Sequence, residues 1–145
     1  MARSVSSARR RVGSILLVDD YDDARSCVRE ALEEVGHTVI EATHGQQALN
    51  LLVGSPSQRV ALIVLDLQMP VMDGWHFIEL LRCYVRLSHI PVIIVTAQEP
   101  HLEQIGHKAV IGCVRAPYDM QTLLDLVEMG LNPDAEPGTS SLRGG

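Results

Sequence analysis

Polar side chains with the potential for chemistry follow three apolar runs of this 145-residue chain. Asp19 and Asp20 follow one run, Asp66 follows a second, and Thr96 follows a third. If these runs are strands of one parallel sheet, their carboxyl ends meet at a single edge, where loops open into a crevice. We therefore expect the four side chains to gather at that edge.

The three aspartates indicate which chemistry this edge could perform. Carboxylates close to one another repel unless a proton or a hard divalent cation neutralises them, and oxygen ligands of this kind suit Mg²⁺, which often bridges to a phosphoryl group. An aspartate after a strand can instead cap the next helix. Asp66, however, closes the most apolar run of the chain, residues 60–65, and a carboxylate in so unfavourable a position is typical of a functional site. The sequence therefore predicts a magnesium site.

The elements that must position these residues alternate between strand and helix five times. The predicted strands are 14–18, 38–41, 60–65, 92–95 and 109–114. Five helices are predicted. Four of them have an inward apolar stripe, formed by Ala24, Val28, Ala31, Leu32 and Val35 before the C-cap Gly36, by Ala48, Leu49 and Leu52 within 45–53, by Phe77, Ile78, Leu81 and Val85, and by Met120, Leu123, Leu124 and Val127 after the N-cap Asp119. The remaining helix, around 102–108, is short and polar. This alternation predicts the α/β fold class, a doubly wound parallel sheet with helices on both faces.

Composition fits one globular domain and excludes several functions. Hydrophobic residues make up 46% of the chain, enough for a core, whereas 3% aromatic residues argue against stacking on nucleic-acid bases. The formal net charge is −6, although four arginines precede Gly13, so the rest of the chain is strongly acidic and does not favour nucleic acid. No apolar run is long enough for a membrane span. We expect a cytoplasmic protein that does not bind membrane and whose ordered domain does not bind nucleic acid.

The three cysteines are not part of the predicted chemistry. Cys27, Cys83 and Cys113 form no C-x-x-C pair, so they predict neither a disulfide framework nor a zinc site. Because each lies within an apolar pattern, we expect all three to be small core residues.

One ordered domain is predicted between two tails. We expect residues 1–13 to form a flexible basic arm, residues 14–130 to form the domain, and residues 131–145 to form a disordered tail. Because only a tail follows the domain, we expect no DNA-binding or catalytic output unit in this chain.

Three segments, in this order, resemble the receiver domain of two-component response regulators, the CheY-like superfamily. They are Leu17-Val18-Asp19-Asp20, the run DLQMPVMDG that begins at Asp66, and Val95-Thr96-Ala97. The resemblance covers residues 14–129. It implies a flavodoxin-like sheet of five parallel strands in the order 2-1-3-4-5, with five helices on its two faces.

The resemblance also implies a role for each site residue. Asp66 would be the phosphoacceptor. Asp20 and Asp66 would give carboxylate oxygens to Mg²⁺, and the Gln68 backbone carbonyl would be a third ligand. Asp19 would complete the metal site mainly through a metal-bound water, and Thr96 would hydrogen-bond a phosphoryl oxygen.

The sequence departs from this family at two positions. Receivers carry a lysine just before the proline after the fifth strand, and this chain has Ala116 there. Neighbouring residues of a strand point to opposite faces, so Arg115 would replace the lysine only if the strand end twists or bulges. Lys108, near the end of the short fourth helix, is a weaker candidate. The family has an aromatic switch at the position of Cys113, and a cysteine has too little bulk for that role.

As a whole, the resemblance predicts a single-domain response regulator. The chain would accept a phosphoryl group on Asp66 from a histidine kinase or phosphotransfer protein in a Mg²⁺-dependent reaction, and it would contact a downstream effector protein differently in the two states. We expect no enzymatic activity beyond self-phosphorylation and self-dephosphorylation at Asp66. The last helix and the fifth strand would offer a face for a partner or a homodimer.

Two other functions stay open. Ala116 and Cys113 favour a pseudo-receiver, a protein-interaction module that works without phosphorylation. A haloacid-dehalogenase-type phosphatase fits less well, because that chemistry requires a second aspartate two residues after the nucleophile, where this chain has Gln68.

Overall fold

Five strands form the centre of the protein. The computed structural model describes residues 12–54, 59–67, 74–97 and 110–132, with the backbone alone at residues 74 and 75. The strands are β1 (Ser14–Val18), β2 (Val39–Ala42), β3 (Val60–Asp66), β4 (Val92–Thr96) and β5 (Val110–Arg115). All neighbouring strands are parallel, and their order is β2-β1-β3-β4-β5. The predicted α/β fold and the strand order 2-1-3-4-5 are confirmed.

Helices cover both faces of this sheet. The described residues include α1 (Asp22–Glu34), α2 (Gly45–Gly54), α3 (Gly74–Arg82) and α4 (Met120–Leu131). Helices α1 and α4 share one core with the sheet, to which they contribute Val28, Leu32, Leu123, Val127 and Leu131. Helices α2 and α3 share the other core, to which they contribute Ala48, Leu49, Leu52, Phe77, Ile78 and Leu81. The sheet is therefore buried on both faces, as its sequence predicts.

Strand β3 lies between β1 and β4 and ends in Asp66. Its side chains alternate between the two cores, with Leu62 and Val64 in one and Ile63 and Leu65 in the other. A strand that is covered on both faces is apolar at every position, which explains the uninterrupted run in the sequence. Asp66 is the first polar residue that this buried strand delivers to the edge of the sheet.

Two apolar residues predicted to point inward are exposed. Helix α1 ends at Glu34, and Gly36 in the following turn has a φ of +101°, which glycine adopts without strain. Val35 lies in that turn and is 54% exposed. Helix α3 ends at Arg82, and Val85 beyond it is 81% exposed. In both cases the helical spacing of apolar residues continues in the sequence beyond the last residue of the helix. The prediction that Val35 and Val85 point inward is therefore wrong.

The prediction that all three cysteines belong to the core is wrong for two of them. Cys27 and Cys83 are exposed, whereas Cys113 is partly buried. Cys27 precedes the buried Val28 by one residue, which turns it about 100° around the helix axis, and Cys83 lies just after the end of α3. Cys113 packs against the core that contains α2 and α3.

Helix α4 begins at the predicted cap and packs closely on the sheet. The Asp119 Oδ1 atom accepts a hydrogen bond from the Gln121 N–H at 3.2 Å, so the predicted N-cap is confirmed. A Cβ atom at Gly130 would lie 2.5 Å from Leu62 Cδ1 and 2.7 Å from Ile111 Cδ1. The helix ends at Leu131, one residue beyond the predicted end of the domain.

Some predicted segments lie outside the described residues. These are the short helix around 102–108 with Lys108, most of the basic arm and nearly all of the C-terminal tail. They stay predictions. Within the described ranges, no helix has both the length and the apolar content that crossing a membrane requires.

Candidate functional site

Three carboxylates lie together where β1 and β3 end. Val18 of β1 is the register partner of Leu65 of β3, so Asp19 and Asp66 follow on neighbouring strands. One carboxylate oxygen from each of Asp19, Asp20 and Asp66 lies within 4.8 Å of the others. The structure therefore brings together the three aspartates that the sequence assigns to the metal site.

Asp19 is the most buried member of this cluster, with 9% of its surface exposed. Burial has the largest effect on its pKa, which it raises, and the charge of Asp20 raises it further. Hydrogen bonds with the Tyr21 backbone and the Asp66 side chain, and the charge of Arg25, act in the opposite direction but are outweighed. The pKa of Asp19 therefore lies above its ordinary value, as expected for a carboxyl group removed from water and placed beside other acids.

Besides its contact with Asp66, Asp19 makes three hydrogen bonds that fix its position. Its N–H donates to the Ala42 carbonyl oxygen at 3.1 Å, which extends the pairing of β1 with β2. Its Oδ1 atom accepts from the Tyr21 N–H at 2.9 Å. Its carbonyl oxygen accepts from Arg25 Nη1 at 2.8 Å. The backbone and the carboxylate of Asp19 are thus held from three directions.

Arg25 is a neighbour of the site that the sequence reasoning missed. Its Nε donates to Glu41 Oε1 at 2.9 Å and its Nη2 donates to Asp22 Oδ1 at 2.7 Å. Burial alone would lower the pKa of Arg25, but these two carboxylates outweigh it and raise the pKa. Arg25 therefore stays charged and connects β2, the start of α1 and the backbone of Asp19.

Thr96 lies at the same edge of the sheet, one strand away from Asp66. It ends β4 and is 3% exposed. Asp66 is the register partner of Val95, so Thr96 comes one residue later on the neighbouring strand. The Thr96 carbonyl oxygen accepts a hydrogen bond from the Ala116 N–H at 2.7 Å, which ties the ends of β4 and β5 together.

The end of β5 determines what stands beside Asp66. Asp66, Val95 and Val114 are successive register partners across β3, β4 and β5, so they share a face of the sheet. Ala116 comes two residues after Val114, and strand alternation returns it to that face, whereas Arg115 belongs to the other. The position that would hold the lysine of the resembled family is therefore occupied by alanine, on the face of Asp66.

Tyr118 forms an aromatic neighbour of the acidic cluster. It is partly buried and packs against the core that contains α1 and α4. Burial, and then the charges of Asp19 and Cys27, raise the pKa of Tyr118. Its hydroxyl group therefore keeps its proton at neutral pH and adds no negative charge to the cluster.

The sequence found the acids of the site but missed the residues that hold them. The fifth predicted site residue, Gln68, lies outside the described residues. Arg25 and Arg29, one helical turn apart, both pair with Glu41. The two arginines on one face of the helix were a signal in the sequence for an acidic partner. That partner, Glu41, can be recognised only once β2 is known to lie beside β1.

The three carboxylates fit a magnesium ion. Mg²⁺ prefers octahedral oxygen ligands, and at its usual bond length adjacent ligands lie about 3 Å apart and opposite ligands about 4 Å apart. The three oxygens within 4.8 Å of one another approach this spacing. All three donors are carboxylates, whereas zinc sites are typically built from cysteine and histidine. The donor set therefore favours a hard divalent cation.

The fold and the acidic cluster define a class of protein, the flavodoxin-like α/β domains that carry carboxylates where the central strands end. Sequence comparison then identifies the family. The family described as "Response regulator receiver domain" matches residues 15–128. This chain therefore belongs to the response regulator receiver domain family, and the resemblance drawn from the three segments is confirmed.

Two curated relatives illustrate the range of proteins with this domain. Chemotaxis protein CheY of Pseudomonas aeruginosa is 32% identical over 117 residues, which are 79% of this chain and 92% of that protein. Sensor histidine kinase CheAY of Helicobacter pylori is 27% identical over 124 residues, which are 84% of this chain and 15% of that protein. Receiver domains of this kind bind Mg²⁺ at an acidic pocket and act with histidine kinases and effector proteins.

Solved structures share the fold. Chemotaxis protein CheY4 of Vibrio cholerae has a TM-score of 0.71 and 28% identity, covering 83% of this chain and 99% of that one. Response regulator protein TrrA of Thermotoga maritima, solved in complex with Mg²⁺ and beryllium fluoride, has a TM-score of 0.71 and 25% identity, covering 83% of this chain and 100% of that one.

Proposed function

We propose that Asp66 accepts a phosphoryl group from a histidine kinase or phosphotransfer protein in a reaction that requires Mg²⁺, and that the phosphorylated form contacts an effector protein differently. The observation that carries this proposal is the cluster of Asp19, Asp20 and Asp66, whose carboxylate oxygens lie within 4.8 Å of one another. Membership of the receiver family supports the donor and the effector.

Asp19, Asp20 and Asp66 would hold the metal ion, with the Gln68 backbone carbonyl as a further ligand. Bound Mg²⁺ supplies positive charge against the transferring phosphoryl group. The exposed position of Asp20 and the partial burial of Asp66 support this arrangement, because a phosphodonor must reach the site from solvent.

The proposed transfer is a displacement at phosphorus. A carboxylate oxygen of Asp66 forms a bond to the phosphorus of the phosphohistidine, the P–N bond breaks, and its electron pair leaves with the imidazole, which takes up a proton. The Thr96 hydroxyl donates to a phosphoryl oxygen. Water then hydrolyses the acyl phosphate to inorganic phosphate and the Asp66 carboxylate, which is the proposed self-dephosphorylation.

We propose that the signalling response to phosphorylation is weaker in this chain than in a receiver that carries the family's lysine. A hydrogen bond to a charged group contributes about 1.5–3 kcal/mol, and Ala116 cannot make one. Strand alternation assigns Arg115 to the other face, so it does not restore the missing bond. Phosphoryl recognition then depends on the metal ion and Thr96.

Intact-mass spectrometry tests the proposed function. The purified chain is incubated with a small-molecule phosphodonor, once with Mg²⁺ and once with a chelator. We expect the mass of one phosphoryl group to be added only with Mg²⁺, and not to the Asp66→Ala variant. Asp23→Asn is the matched control, because Asp23 is an exposed acid in the first turn of α1 outside the cluster. Absence of addition to the wild type, or addition that survives Asp66→Ala, contradicts the proposal.

A partner surface on α4 and β5 is part of the proposal. Ile111 of β5 and Met129 of α4 are exposed apolar side chains on these elements, and they support association with an effector or a second copy of the chain. Sedimentation with and without Mg²⁺ and beryllofluoride tests for a homodimer. The expected cytoplasmic location and absence of nucleic-acid binding stay predictions.

A pseudo-receiver is the second candidate function, favoured by Ala116 and by Cys113, which is packed against the core. It predicts that amide hydrogen exchange in β4 and β5 is unchanged when Mg²⁺ and beryllofluoride are added. The phosphorylation proposal predicts increased protection at the ends of these strands.

A further inference from the structure

Arg25 connects three parts of the protein that meet next to the acidic cluster. Its three bonds reach the Asp19 carbonyl oxygen at 2.8 Å, Glu41 on β2 at 2.9 Å and Asp22 in the first turn of α1 at 2.7 Å. We propose that Arg25 is a positioning residue of the metal centre, which fixes the backbone at Asp19 so that its carboxylate meets those of Asp20 and Asp66. This inference rests on the proposed Mg²⁺-dependent function.

The geometry uses all three nitrogens of the guanidinium. Nε, Nη1 and Nη2 each donate to a different acceptor, and the side chain is only 13% exposed. The guanidinium group is planar and rigid, so three simultaneous bonds fix the relative positions of the three acceptors. A lysine ammonium at the end of a flexible chain carries the same charge without this fixed fork.

The positive charge of Arg25 would by itself weaken metal binding. A cation beside an acidic cluster disfavours the arrival of a second cation. Glu41 and Asp22 offset this charge through contacts of 2.9 Å and 2.7 Å. If Arg25 supports metal binding, it does so through the geometry of its bonds, and the direction of the effect distinguishes the two explanations.

Arg29 provides a matched comparison on the same helix. Its Nη1 donates to the same carboxylate, Glu41, at 3.1 Å, and its remaining described contacts are ion pairs of 3.8 Å with Glu30 and Glu33. Replacing either arginine by glutamine removes one positive charge and one ion pair with Glu41. Of the two arginines, Arg25 alone bonds to the Asp19 backbone among the described contacts.

The experiment compares Mg²⁺ affinity by titration calorimetry in the wild type, Arg25→Gln, Arg29→Gln and Arg25→Lys. Loss of a residue that orients a metal ligand typically weakens binding by about tenfold to a hundredfold, so we expect at least about a tenfold loss for Arg25→Gln. We expect Arg29→Gln to stay within about twofold of the wild type. The Mg²⁺ affinity of Arg25→Lys should remain clearly below that of the wild type, because lysine keeps the positive charge but not the planar arrangement of three donors.

Urea unfolding without Mg²⁺ separates positioning from general stability. A merely structural role would lower the free energy of unfolding of Arg25→Gln but leave the Mg²⁺ affinity of its folded form unchanged. If Arg25→Gln does not fold, Arg25→Lys tests the proposal alone, because it keeps the cation among Glu41 and Asp22.

Each result has a defined consequence. Equal affinities for Arg25→Gln and Arg29→Gln, tighter binding by Arg25→Gln, or full recovery in Arg25→Lys overturns the positioning role while the proposed function stands. A wild type that binds no Mg²⁺ overturns the proposed function and this inference together. A selective loss in both Arg25 variants supports the inference.

Discussion

The carboxyl groups of Asp19 and Asp66 lie next to each other, with one oxygen of each within 4.8 Å of the other, although Asp19 follows β1 and Asp66 ends β3. Two carboxylates at this separation repel each other, so a proton or a cation on the pair lowers its free energy. The pKa of Asp19 is raised, mainly because its carboxyl group is buried. A proton and a divalent cation therefore compete for the same pair of oxygens.

Asp19→Asn should stabilise the metal-free protein and abolish its response to Mg²⁺. The amide removes a buried charge and keeps a side-chain oxygen that can accept the hydrogen bond from the Tyr21 N–H. We expect the free energy of unfolding at neutral pH to rise by about 1 kcal/mol, measured by urea titration with and without Mg²⁺. Asp23→Asn serves as control and should respond to Mg²⁺ as the wild type does. A variant that is less stable without metal, or still stabilised by Mg²⁺, would contradict this prediction.

Glu41→Gln should remove an acid-sensitive part of the stability. Burial raises the pKa of Glu41, but Arg25 and Arg29 outweigh it and hold the pKa below its ordinary value of 4.5. Because the folded state binds this proton more weakly than the unfolded state, the contribution is present above pH 4.5 and is lost as the pH falls through the lower folded value. The stability difference between wild type and variant should therefore shrink as the pH falls below 4.5 in urea titrations.

The control for this pH series is Glu30→Gln. Glu30 is an exposed acid on α1 that pairs with Arg29 at 3.8 Å, so it should contribute little to the free energy of unfolding. If the Glu41 and Glu30 variants follow the same pH profile, the two arginines do not hold Glu41 in its charged form.

Gly130→Ala should destabilise the fold by about 1–3 kcal/mol. The new methyl group would lie 2.5 Å from Leu62 Cδ1 and 2.7 Å from Ile111 Cδ1, so these side chains must repack or α4 must shift. Thermal and urea unfolding measure the loss. Gly54→Ala at the end of α2 is the matched control, because no atom lies within 4 Å of the added Cβ. Equal stability of the two variants would show that α4 is not packed as closely as described.

Ala116→Lys should strengthen the binding of beryllofluoride in the presence of Mg²⁺. The gain should be at least about tenfold, which corresponds to the lower end of the range of about 1.5–3 kcal/mol for a hydrogen bond to a charged group. Fluorescence of Trp75, the only tryptophan of the chain, or calorimetry can follow the titration. Arg115→Gln should leave the affinity unchanged. A loss in that variant would instead identify Arg115 as the replacement for the lysine.

The sheet and the acids of the site could be predicted because their signals are local. Residues 60–65 are apolar at every position since β3 is covered on both faces, and Asp66 interrupts that run at the edge. Asp119 caps α4 by a bond within its own turn. Such features depend on neighbours in sequence, which a single chain displays.

The residues that hold the site could not be predicted because their partners come from other elements. Arg25 on α1 is an ordinary helix residue until β2 brings Glu41 next to the end of β1. Val35 and Val85 keep the helical spacing, but their helices end before they are reached. Helix ends and tertiary ion pairs are decided by packing that the sequence pattern does not specify.

Reductive trapping of the phosphorylated protein tests the central claim most directly. An aspartyl phosphate is reduced by borohydride to homoserine, and peptide mass spectrometry then identifies the modified residue after incubation with a phosphodonor and Mg²⁺. The account predicts homoserine at Asp66 alone and none when Mg²⁺ is chelated. Homoserine at Asp19 or Asp20, or an unmodified Asp66 in the presence of Mg²⁺, would contradict it.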